Sequence, residues 1–152
     1  NDWAKQMKNS ENLSDRKQML LKFWNGFNDY IAKSDVFKND FTIRKAQPDH
    51  WYDLSVGNSS YHICMTISAQ KKRLSCGVYI PDNKDLFHTF EDNKDIFQKE
   101  FGEDGDWKEA AKATRIVIYK GFDLYNETKW EEAYAWFVEN AIKTKYTFKK
   151  ME

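Results

Sequence analysis

A chain of 152 residues with 41% hydrophobic content is long enough to bury one core, and its 16% aromatic share supplies bulky side chains for it despite 32% charged residues. Lys plus Arg balances Asp plus Glu at 24 each, so there is none of the overall basic excess of a dedicated nucleic-acid binder, and any such binding must come from a local patch. Two prolines and six glycines argue against a disordered or low-complexity chain, and no apolar run approaches the ~20 residues of a membrane span.

Residues 1–13 form a polar, weakly patterned N-terminal segment, and Asn1 in place of an initiator Met points to a processed product or a piece of a longer protein. Ser14 then offers an N-cap with Asp15 in the first turn. Leu20, Phe23, Trp24, Phe27 and Ile31 recur at helical spacing, which predicts an amphipathic helix ending near Lys33.

Three strands are predicted next. Tyr52, Leu54 and Val56 alternate with Trp51, Asp53 and Ser55; Tyr61, Ile63, Met65 and Ile67 alternate with His62, Cys64 and Thr66; and Leu74, Cys76, Val78 and Ile80 alternate with Ser75, Gly77 and Tyr79. With turns centred on Asn58-Ser59 and Gln70-Lys71, Leu54 opposes Ile63, Ile63 opposes Val78, Met65 lies between Tyr52 and Cys76, and Ile67 opposes Leu74. All the apolar sets then share one face of an antiparallel meander.

Pro81-Asp82-Asn83 stops the third strand and opens a second helix, with Leu86, Phe87, Phe90, Phe97 and Phe101 buried and Gly102 as its stop. Trp107–Glu109 and Thr114–Lys120 read as a strand pair. A last helix starts near Asn126 or Thr128, with Trp130, Ala133, Phe137 and Ala141 on one stripe. The expectation is a single α+β domain over residues 14–150: a meander plus a hairpin in one antiparallel sheet, about three helices, in the order α-β-β-β-α-β-β-α.

Several constellations resemble chemistry. Asp53, Ser55 and His62 share the outward face of the meander, but strand amides committed to a ladder form no oxyanion hole, so cross-strand polar pairing is preferred to a triad. His62, Cys64 and His50 make an incomplete metal set because Cys76 faces the other way; for the same reason Cys64 and Cys76 form no disulfide. Free thiols without a recognisable signal sequence set the expectation of a cytoplasmic protein. The matches to a glycan acceptor at Asn12, Asn58 and Asn126 then read as chance.

Gly57-Asn58-Ser59-Ser60 lacks the lysine and the following helix of a phosphate loop and reads as a hairpin turn, with Gly57 or Asn58 able to adopt positive φ. Pro48-Asp49 and Pro81-Asp82 lack the acid-x-Lys strand of a magnesium nuclease. No cofactor is called for.

Basic residues cluster twice, at Lys71, Lys72 and Arg73 on a hairpin tip and at Lys143, Lys145, Lys149 and Lys150 on the last helix; the candidate DNA or RNA contacts are Lys71, Lys72, Arg73, Lys143, Lys145 and Lys149. Trp51, His62, Tyr79 and Tyr119 populate the second sheet face and are the candidate interface, where a subunit or neighbouring-domain contact is preferred to base stacking. A loop or the N-terminal segment is the alternative cover for that face.

Phe23-Trp24, Trp51…Gly57-x-Ser59, Val78-Tyr79-Ile80, Lys84-x-x-Phe87, Lys94, Phe101-Gly102, Trp107, Arg115-Ile116 and Trp130…Trp136 form an ordered set. In it the chain resembles an uncharacterised bacterial domain-of-unknown-function family, often found C-terminal to restriction-endonuclease-like domains. The resemblance spans residues 14–150. Its marks are aromatic and glycine positions, so it implies a fold and a setting but no catalytic residue. Many relatives carry a basic residue after the turn glycine, where this chain has Asn58, which weakens a phosphate role for that turn.

The functional expectation is a non-catalytic accessory or interaction module of a nuclease- or defence-type protein, contacting a neighbouring domain or a second copy. The alternative is direct nucleic-acid binding through the two lysine clusters.

Overall fold

The computed structural model describes residues 13–152. All but the last residue of the expected polar N-terminal segment therefore lies outside the described residues, as does the suggestion that this segment covers the second sheet face.

Helix α1 (Asp15–Ala32) starts where the Ser14 hydroxyl accepts a hydrogen bond from the Lys17 amide, and its expected stripe from Leu20 to Ile31 is buried. Helix α2 (Asp35–Asp40) precedes the meander β1 (Trp51–Ser55), β2 (His62–Ser68) and β3 (Arg73–Pro81). Helices α3 (Lys84–Asp92) and α4 (Lys94–Phe101) lead to the hairpin β4 (Asp106–Glu109) and β5 (Ala113–Gly121), and α5 (Trp130–Met151) closes the chain. The strands form one five-stranded sheet in the order β1-β2-β3-β5-β4, antiparallel throughout.

The expected register is observed. Leu54 pairs with Ile63 and Ile63 with Val78, Met65 lies between Tyr52 and Cys76, and Ile67 faces Leu74. Helix α5 packs across β2 and β3 on this apolar face. There Trp24, Phe27 and Phe137 make tilted or edge-on ring contacts, and the Tyr134 hydroxyl donates 2.9 Å to the Phe23 carbonyl across α1 and α5.

The helix count differs from the expectation of three: five α-helices lie among the described residues, with a 3-10 turn at Glu127–Lys129 leading into α5. After Lys33 ends α1, the Ser34 hydroxyl accepts the Phe37 amide at 3.2 Å and caps a new short helix that buries Phe37. The long second helix divides at Asn93, whose side-chain amide donates to the carbonyls of Thr89 (3.1 Å) and Met151 (2.9 Å) and so ties the break to the end of α5. Both events depend on one polar residue within an otherwise helical pattern.

The first turn is wider than a two-residue hairpin. Val56 and Tyr61 leave the ladder but stay buried, Gly57 takes φ +92, and the Asn58 side chain accepts the Ser60 amide at 2.9 Å.

Candidate functional site

Alternation along each strand sends the residues between the core positions to the opposite side of the sheet. Across that side run Ser55, His62, Tyr79, Arg115 and Lys108 in one row, Asp53, Cys64, Gly77, Val117 and Asp106 in the next, and Trp51, Thr66, Ser75 and Tyr119 in a third. Two hollows of about 280 Å³ and 300 Å³ share His50, Cys64, Thr66 and Arg115 and thus form one groove. Their walls come from strands, the turn before β3 and His50, with no helical residue among them. Among the described residues, then, the helices lie on one face and this groove opens on the other.

The groove gathers cations. Arg73 sits over the Tyr119 ring, with its guanidinium carbon 3.8 Å from the centroid, and Lys108 approaches the same ring at 5.6 Å. Arg115 stands 5.3 Å from the Tyr79 ring, and His62 stacks on Tyr79 at 5.1 Å. The Tyr119 hydroxyl donates 2.6 Å to the Asp106 carboxylate. That hydrogen bond, with Lys108 adding to it, holds the Asp106 carboxyl below the usual range, while Tyr119 and Asp106 push the Lys108 ammonium up.

Asp53 and His62 form the polar end. The carboxylate Oδ2 is 3.5 Å from His62 Nε2, while Oδ1 is buried without a hydrogen-bond partner. Burial pushes the Asp53 carboxyl up, but His62, Cys64 and Arg44 together pull it below its ordinary value. Burial, reinforced by the Asp53 charge, pushes the Cys64 thiol far up, the reverse of what a nucleophilic cysteine needs. Ser55 pairs with His62 in the ladder, yet its hydroxyl accepts the Gly57 amide at 3.2 Å. Cys76 faces the core, and burial raises its thiol to about 12. Both cysteines are free, and no group of three or more metal-binding side chains occurs among the described residues.

All four candidate interface residues, Trp51, His62, Tyr79 and Tyr119, share this face. Trp51 is presented by a braced loop: the Trp24 indole donates 2.8 Å to the Asp49 carbonyl, and the Ile67 amide donates 2.8 Å to that of His50.

The two basic clusters do not meet. Lys71 and Arg73 line the groove, and Lys72, exposed at φ +52, shapes the adjoining turn. The lysines of α5 lie in the helix layer across the sheet, where most have partners. Lys145 is bound 3.0 Å from the Asp40 carbonyl and 3.3 Å from its carboxylate, with 14% of its side chain exposed; Lys143 sits over the Phe101 ring, and Lys150 pairs with Glu100. Lys149 is exposed.

Sequence reasoning missed Lys108 and Arg115 as groove residues and weighed His50 only as a metal ligand. The signal was present in the parity of the second hairpin, since Arg115 lies two residues from Val117 and pairs with both Tyr79 and Lys108.

A single antiparallel sheet with its helices on one face and a cation-lined groove on the other defines an α+β sheet-face protein. The chain belongs to the family described as "Domain of unknown function (DUF4268)", whose model matches residues 19–152. No curated protein and no solved structure matches it. No described helix is long and apolar enough to cross a membrane.

Proposed function

We propose that this domain is a non-catalytic accessory module that binds nucleic acid on the open face of its sheet. The observation that carries the reading is the convergence of Lys71, Arg73, Lys108 and Arg115 on one groove that also contains Tyr79 and Tyr119. Cations held beside aromatic rings suit phosphate contact beside stacked bases. In this reading the hairpin tip takes part, and the α5 lysines, across the sheet from the groove, do not.

A dry subunit contact has less support. The large exposed hydrophobics among the described residues, Val36, Trp51, Tyr125 and Tyr146, come from α2, β1, the loop after β5 and α5, and of these Trp51 borders the groove. A catalytic reading is disfavoured by the raised Cys64 thiol and by the Ser55 hydroxyl, which is turned to Gly57. The setting implied by the family resemblance, a bacterial protein with a restriction-nuclease-like neighbour, would make this module the part that holds the substrate.

The test is fluorescence anisotropy with labelled oligonucleotides over a salt series. Binding weakens as salt rises, and Arg73→Ala and Arg115→Ala each lower affinity while reducing the slope of log K against log salt by about one. No binding at low salt, or binding indifferent to salt and to both variants, refutes the proposal.

A further inference from the structure

Trp51 opens the edge strand β1 and is 43% exposed. Single exposed hydrophobics are ordinary; the surroundings of this one are not. Three hollows meet at it. One of about 420 Å³ is flanked by Arg16 and Lys17 at the start of α1, one of about 160 Å³ by Arg44 and Lys45, and the third is the 300 Å³ part of the groove that contains Arg115. All five cations are exposed. The acids sharing these hollows are Asp49 and Asp53, and Asp53 already faces His62. The indole is held in place: the loop behind it is braced by Trp24 and Ile67, and the His50 ring lies edge-on at 4.7 Å.

A braced aromatic ring bordered by two hollows that each carry a cation pair matches a nucleotide strand, in which a base lies between successive phosphates. We infer that Trp51 is a stacking platform for an unpaired base, with Arg16–Lys17 and Arg44–Lys45 holding the phosphates that flank it. The ligand is thus a single strand of DNA or RNA rather than a duplex, because duplex bases have their faces occupied by one another. This assignment rests on the nucleic-acid reading above and adds to it the form of the ligand and the residue that selects it.

The experiment compares wild type, Trp51→Ala and Trp51→Phe, each as the full chain, against labelled single strands of DNA and of RNA about 16 nucleotides long. An unlabelled duplex of the same length serves as competitor. Trp51→Ala should lose about ten-fold in affinity, Trp51→Phe should retain most of it, and the duplex should compete at least about ten-fold less well than the unlabelled single strand. Whichever of DNA and RNA binds more tightly identifies the source of the strand.

Equal competition by duplex, or Trp51→Ala binding as wild type does, overturns the inference. Continued loss of binding in Arg73→Ala would then leave the broader reading standing, whereas absence of all binding removes both. Acrylamide quenching supplies the remaining check: the accessible tryptophan component of wild type should be reduced in Trp51→Phe. An indole already shielded in the free protein, by residues 1–12 or by a second copy, also overturns the assignment.

Discussion

Gly77 sits at the centre of the sheet, where β3 meets β5, and its replacement by alanine is the sharpest test of the architecture. A Cβ built there would lie 1.9 Å from the Ile116 carbonyl oxygen and 2.7 Å from the Val117 Cα. Carbon and oxygen across neighbouring strands normally approach to about 3.3 Å, so the strands must separate by about 1.4 Å. No rotamer can relieve this clash, because both obstacles are backbone. Within the sheet, the β3–β5 ladder is what joins the β4–β5 hairpin to the meander. Overpacking that side chains can absorb costs about 1–3 kcal/mol, and a clash with a paired backbone belongs at or above the top of that range. For a chain of this length, about 3 kcal/mol lowers Tm by about 6–12 °C. Thermal unfolding followed by circular dichroism measures the shift directly. The same separation would move Arg115 and Lys108 away from Arg73 and Lys71, so salt-dependent oligonucleotide binding should weaken in the fraction that remains folded. A Gly77→Ala protein melting within about 2 °C of wild type would show that the close approach is not a constraint and that the reasoning is wrong.

Asp53 gives a prediction in pH. Its carboxyl is held below the ordinary value of 3.8, so its contribution is present in full above about pH 4 and lost as the pH falls through the depressed value. In chemical denaturation, Asp53→Asn should therefore be less stable than wild type near neutrality, with the gap closing as the pH falls below the ordinary carboxyl value of 3.8; a gap independent of pH rejects the assignment. The α5 lysines give a control for the binding surface. Lys149→Ala with Lys150→Ala should leave oligonucleotide affinity and salt slope within about two-fold of wild type, since these residues lie across the sheet from the groove, and a loss comparable to that of Arg73→Ala would return α5 to the binding surface.

Most of the sheet was legible because its rule is simple. One face is apolar and the side-chain period is two, so a single consistent register buries Tyr52, Leu54, Ile63, Met65 and Val78 together. Ser14, Asn83 and Gly102 marked helix ends through local chemistry that any sequence displays. The extra breaks at Ser34 and Asn93 were not legible for the opposite reason. Asn93 ends a helix partly by donating to the Met151 carbonyl, a partner 58 residues away that no window contains. The site divides in the same manner. Trp51, His62, Tyr79 and Tyr119 were found by parity alone, whereas the grouping of lysines followed their closeness in sequence and so joined clusters that the sheet separates.

The balance of charge shows why that separation matters. A net charge of zero averages over the whole chain, while a polyanion senses the potential within about 10 Å of where it lies. In the groove the cations come from the second turn, the second hairpin and β3, each contributing one or two. The Lys71-Lys72-Arg73 tip is basic by sequence alone, whereas β4 and β5 add only one cation each to the groove. These cations become one patch because antiparallel pairing brings Arg73, Arg115 and Lys108 to one side of neighbouring strands. On α5, by contrast, the lysines are close in sequence and electrostatically quieter, since Asp40 and Glu100 engage Lys145 and Lys150. The extent of the basic patch thus follows sheet parity as well as sequence, and a salt-dependent affinity lowered by Arg73→Ala and by Arg115→Ala but not by the α5 variants is the pattern that distinguishes the groove from the last helix.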